Sequence, residues 1–98
     1  MYKVILIIVA TINPNEKEAL NYYLKQMNIL YEQVGAQSIG KYIVSESLIG
    51  TDSPNLVSII EFRNKEALEK VFKSEKYKTL KPYREKAFLQ VEAHLSKE

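Results

Sequence analysis

The sequence predicts an α+β domain in the order β-α-β-β-α-β. Three observations carry this: a β-branched apolar run at the start, two helical stretches with apolar residues three and four apart, and further apolar strand-like segments between and after them. Ninety-eight residues suit one domain, 1–98, with a single core. Apolar residues make up 46% and charged residues 27%, the balance of an ordinary globular chain.

The first strand, Tyr2–Ala10, is apolar on both parities. Val4, Leu6 and Ile8 face one way and Ile5, Ile7 and Val9 the other, the mark of a strand covered on both sides. One lysine precedes the run, no small-residue cleavage pattern follows it, and it is far shorter than the ~20 residues of a membrane span. It therefore reads as a buried strand, and the chain as a cytoplasmic protein without membrane partners.

A helix over about Pro14–Val34 follows. Asn13 is its expected cap, Pro14 its first residue and Glu16 the partner in a capping box. Leu20, Tyr23, Leu24, Met27, Leu30, Tyr31 and Val34 form its apolar stripe, and Gly35 stands at the C′ position. Two strands come next, Ser38–Ile49 and Leu56–Phe62, joined by the turn cluster Gly50-Thr51-Asp52-Ser53-Pro54-Asn55. The second helical stretch, Lys65–Arg84, has Asn64 and Ser74 as caps of two pieces, and Pro82 argues against a long regular helix. In the last strand, about Lys86–Leu95, Ala87, Leu89, Val91, Ala93 and Leu95 suit packing under helices. Phe88, Gln90, Glu92 and His94 fall on the opposite face.

This order is the split βαβ or ferredoxin-like plan: a four-stranded antiparallel sheet with two helices on one face. The other face would expose much of the Val, Ile and Leu of strands one and three, at a cost of several kcal/mol at ~25 cal/mol per Å². A two-fold dimer with the sheets facing each other, a dimeric α/β barrel, removes that cost. A homodimer is therefore expected, with a pocket in each half-barrel.

Several function classes drop out early. A net charge of +2 does not indicate a polyanion partner. With no cysteine there is no disulfide framework, thiolate metal site or cysteine nucleophile. The three glycines form no phosphate-binding loop. An RNA-recognition domain shares the topology but needs aromatics on strands one and three, where this chain has aliphatics. No nucleic acid, metal or cofactor is expected.

The segments Ser58-Ile59-Ile60-Glu61-Phe62, Lys65-Glu66-Ala67-Leu68, Phe72-Lys73-Ser74-Glu75-Lys76-Tyr77 and Leu80-Lys81-Pro82-Tyr83-Arg84 resemble the domain of unknown function 1330 family. That family carries a similar acidic strand end, a short helix ending in an aromatic-x-x-Ser-x-x-Tyr stretch, and a Leu-x-Pro-x-Arg segment. Two places depart from its pattern: Val71-Phe72 where many relatives have a Trp or an aromatic pair, and Gly35-Ala36 where they have two glycines. The resemblance implies a fold and a dimeric assembly. It implies no reaction.

Six residues are candidates for a site. Glu61 is the one acid in its apolar strand, either a proton acceptor in a pocket or the partner of a nearby cation. Arg84 suits a ligand carboxylate or phosphate, or an ion pair with Glu61. Glu92 and His94 share a strand face and suit acid/base work, although His94 lies near the C-terminal end of the sequence. Tyr77, which matches the family stretch, suits orienting a substrate oxygen, and Tyr42 joins it as a binding candidate.

Three functions are compatible with these residues. One is binding of a small organic molecule, acidic or neutral, in the half-barrel pocket. Another is a cofactor-independent monooxygenase- or isomerase-like enzyme, with Glu61 or His94 moving a proton. The third is a non-catalytic assembly or stress-response module.

Overall fold

The computed structural model describes residues 3–51 and 53–97. Strands β1 (Val4–Ile12), β2 (Gln37–Ile43), β3 (Leu56–Phe62) and β4 (Phe88–Lys97) form one sheet in the order β2-β3-β1-β4, and every neighbouring pair is antiparallel. Helices α1 (Lys17–Gln33), α2 (Lys65–Phe72) and α3 (Glu75–Ala87) cover one face. The Cα atoms span 37 × 30 × 16 Å, a slab one sheet and one helical layer thick. This is the ferredoxin-like arrangement expected from the order of elements.

The helical ends show how local chemistry sets the boundaries. Helix α1 begins later than expected, at Lys17, and its cap Glu16 makes no side-chain capping bond. Asn13 instead closes a turn: its side-chain oxygen accepts from the Asn15 N–H at 3.0 Å, and its carbonyl accepts from the Glu16 N–H at 3.2 Å. Pro14 thus lies in that turn rather than in the helix. At the other end the Gly35 N–H donates to the Glu32 carbonyl (3.1 Å) and the Ala36 N–H to the Tyr31 carbonyl (2.9 Å). With Gly35 at φ +70°, this is a Schellman closure. Asn64 accepts from the Ala67 N–H at 2.8 Å and Ser74 from the Tyr77 N–H at 3.1 Å, so both act as the expected caps.

Three further expectations are corrected. Helix α3 runs through Pro82 to Ala87. Pro82 and Lys78, four residues before it, are both exposed, so the carbonyl that loses its partner faces solvent. Strand β2 stops at Ile43 instead of Ile49; just beyond it the Val44 N–H donates to the Asn55 carbonyl at 3.1 Å, and the chain then leaves the sheet. Leu48 and Ile49 are apolar but lie in the loop, 90% and 95% exposed. Asp52 and Tyr2, parts of the expected turn and first strand, lie outside the described residues.

The third correction concerns Phe88. A bulge shifts the β1–β4 register from Thr11↔Gln90 to Ile12↔Phe88. Leu89 is the extra residue and points outward, while Phe88 turns under the helices, edge-on to Tyr23 with ring centroids 5.9 Å apart. Beyond the bulge the parity holds, with Val91 and Ala93 on the helical side.

The core lies between sheet and helices. Leu6, Ala10, Leu56, Ile60 and Phe62 come from the central strands, and Met27, Leu30, Val71 and Leu80 come down from the helices. On the opposite face Ile5, Ile7 and Val9 pair with Glu61, Ile59 and Val57. These are only half-buried, as nothing within one chain covers them.

Candidate functional site

A cavity of about 430 Å³ lies between the sheet and helices α1 and α3. Its floor follows from register. Ala93 on β4, Ile8 on β1, Ser58 on β3 and Lys41 on β2 pair in one row across all four strands. The row alternates small and large side chains, so the floor is sunken at Ser58 and Ala93 while neighbouring rows fill the core. Met27, Phe72 and Phe88 make apolar walls.

The roof carries the polar chemistry. Ser74 caps α3 so that Tyr77 points inward from its first turn, and Arg84 follows two turns later on the same side. The Arg84 guanidinium donates to the Tyr77 hydroxyl at 2.6 Å and lies 5.9 Å from that ring's centroid. Phe72 holds the Tyr77 ring edge-on, with centroids 5.0 Å apart. Tyr23 of α1 meets Tyr77 in a side-chain hydrogen bond.

Burial pushes the Tyr23 hydroxyl well above the ordinary phenol range. Repulsion from Tyr77 and Tyr31 and the hydrogen bond with Tyr77 add to this, and the Arg84 charge opposes it. Burial also raises Tyr31, with Tyr77 adding. Both hydroxyls therefore stay protonated and neutral.

Charge balance is the most telling property of the site. Among the described residues its lining contains two cations, Arg84 and Lys41, and no Asp, Glu or His. Among the described residues neither cation pairs with a carboxylate. A guanidinium has five N–H donors, and Tyr77 takes up one.

The six residues singled out in the sequence separate onto two faces. Arg84 and Tyr77 meet in the cavity. Glu61 lies on the open face, opposite Ile5, and its carboxylate pairs with Lys3 at 3.3 Å. The expected alternative of a Glu61–Arg84 pair is replaced by this one, because Arg84, on α3, lies on the helical side of the sheet and the Glu61 carboxylate on the other. Glu92 and His94 do come together, with Oε1 and Nε2 at 3.5 Å, on the open face opposite Val9 and Ile7. Tyr42 pairs with Val57 and is on that face too, 57% exposed.

Tyr23, Ser58, Ala93 and Lys41 were not anticipated as cavity residues. The signal available for them was weak: a serine inside an apolar strand, an alanine inside another. Among the described residues no three Asp, Glu or His side chains gather as a metal site. No helix is long and apolar enough to cross a membrane.

Sheet order, one-sided helices and a cavity beneath them define a ferredoxin-like α+β protein. Within that class, the chain belongs to the family described as domain of unknown function (DUF1330), whose model matches residues 6–92. Solved structures agree on the fold. A protein of unknown function from Rhodopseudomonas palustris superposes with a TM-score of 0.87 at 16% identity, covering 99% of this chain and 82% of that one. A dimeric protein of unknown function with a ferredoxin-like fold, from Bacteroides fragilis, matches with a TM-score of 0.65 at 9% identity, covering 98% and 96%. A protein from Bacteroides thetaiotaomicron described as a possible oxidoreductase matches with a TM-score of 0.69 at 12% identity, covering 99% and 98%. No curated protein matches the chain.

Proposed function

We propose that this protein binds a small organic acid in the cavity under its helices, with the acid's carboxylate on Arg84, and that two copies pair through their open sheet faces. The observation that carries the binding reading is a half-buried guanidinium, anchored by one neutral hydroxyl, in a cavity lined by no carboxylate among the described residues. Such a cation is stabilised by an anion, and guanidinium and carboxylate match in shape for two parallel hydrogen bonds. Tyr77 supports the guanidinium from one side, while Met27, Phe72 and Phe88 suit the acid's apolar body.

The dimer reading is supported by the half-buried aliphatic row on the open face and by the Bacteroides fragilis neighbour's description as dimeric. In such a dimer Glu61, Glu92, His94 and Tyr42 belong to the interface rather than to the cavity. The neighbour described as a possible oxidoreductase favours the enzymatic alternative. Any proton transfer in this cavity would fall to its tyrosines, since its lining holds no acid or histidine.

The test is titration calorimetry with a panel of small carboxylates on the wild-type chain and on Arg84→Gln. A hydrogen bond to a charged group contributes about 1.5–3 kcal/mol. Binding that weakens by roughly 10- to 100-fold in the variant supports the reading. Binding that is absent in the wild type, or unchanged in the variant, overturns it.

A further inference from the structure

Resting on that reading, the geometry points to a more specific ligand: we infer that the cavity takes an elongated acid with a carboxylate at each end, one on Arg84 and the other on Lys41. Arg84 sits on α3, in the roof of the cavity, four residues before β4 begins. Lys41 stands on β2, the opposite edge strand, at the far end of the floor row. The floor row crosses all four strands, about 14 Å between the backbones of its two edge strands. Both side chains line the same cavity, Arg84 from its roof and Lys41 from its floor.

Between the cations the floor is Ile8 flanked by Ser58 and Ala93. That floor is mostly apolar, and among the described residues the cavity lining holds no acid to repel either end. Lys41 is exposed and pairs with no carboxylate among the described residues, so it is available at the cavity's rim. A ligand with one anionic group satisfies Arg84 and leaves Lys41 to solvent. One with two, separated by a short apolar chain, engages both.

The test is calorimetry on the intact protein with linear dicarboxylates from succinate to suberate, each set against the monocarboxylate of the same carbon number. At least one dicarboxylate is expected to bind ten or more times tighter than its matched monocarboxylate. Lys41→Gln is expected to abolish that preference by weakening dicarboxylates at least tenfold more than the matched monocarboxylates, and Lys41→Arg to retain the preference. Raised salt is expected to erode the preference, since the Lys41 end is exposed. Equal affinities across every matched pair, with monocarboxylates still dependent on Arg84, overturn the two-ended ligand and leave acid binding standing. Equal losses for mono- and dicarboxylates in Lys41→Gln overturn it as well. Failure of every acid to bind overturns both readings.

Discussion

Tyr77 and Arg84 show how one contact links folding to binding. The Tyr77 ring is in the core, but its hydroxyl holds the guanidinium at 2.6 Å. Tyr77→Phe keeps the ring and removes the anchor. A modest loss of stability is expected in urea melts, about 1 kcal/mol. Calorimetry should show acid affinity falling several-fold because Arg84 loses its orientation. Tyr23 makes a separate prediction in pH. Its hydroxyl is raised above the ordinary value of 10.0 by burial in the folded chain, and unfolding restores that ordinary value. Above about pH 10 the unfolded chain therefore releases a proton that the folded chain keeps. The stabilising contribution is complete below that pH and is lost progressively as pH rises beyond it. In melts between pH 8 and 11, Tyr23→Phe should lose less stability with rising pH than the wild type does.

At the scale of elements, the end of α1 depends on one backbone conformation. Gly35 has φ +70°, and a Cβ there would approach the Arg63 guanidinium to 2.7 Å. Gly35→Ala should therefore cost about 1–2 kcal/mol in chemical denaturation, mostly from the left-handed backbone, since the Arg63 side chain can swing aside. The Ser74 cap governs the start of α3 and so the position of Tyr77. Ser74→Ala should cost about 1 kcal/mol.

These same elements show what sequence alone can reveal. Order, caps and the Gly35 exit were legible because each depends on neighbours within a few residues. The true start of α1 was not, because Asn13 could cap either a helix or a turn, and only the chain's return to β4 decides: the Asn13 N–H donates to the Ala87 carbonyl at 2.8 Å. Phe88 was assigned to the wrong face because a bulge shifts parity without any local signal. The site was half legible. Arg84 and Tyr77 lie on one helix and could be linked by spacing, whereas the floor row needs the register of four strands. Glu61 looked like a pocket residue because β3 is apolar on both parities, so nothing in its pattern told which side the helices cover.

For the whole molecule, the proposed dimer rests on the open sheet face. Ile7 lies between Ile59 and His94 in the register, at the centre of the aliphatic row. Ile7→Lys places a charge in the proposed interface while leaving the helical side unchanged. Sedimentation should show a dimer converting to monomer with an unaltered far-ultraviolet spectrum. Ile59→Lys, on the neighbouring strand, should do the same. Retention of the dimer in both variants would place the interface elsewhere. The cavity, on the other side of the sheet, should keep its acid affinity in any monomer that remains folded, which separates assembly from binding.

Native mass spectrometry of gently purified protein tests both central claims together. The expected result is a species of twice the 11.3 kDa chain mass, with a small acidic adduct on each copy that disappears in Arg84→Gln. A single-chain species, or an adduct that persists unchanged in Arg84→Gln, would contradict it.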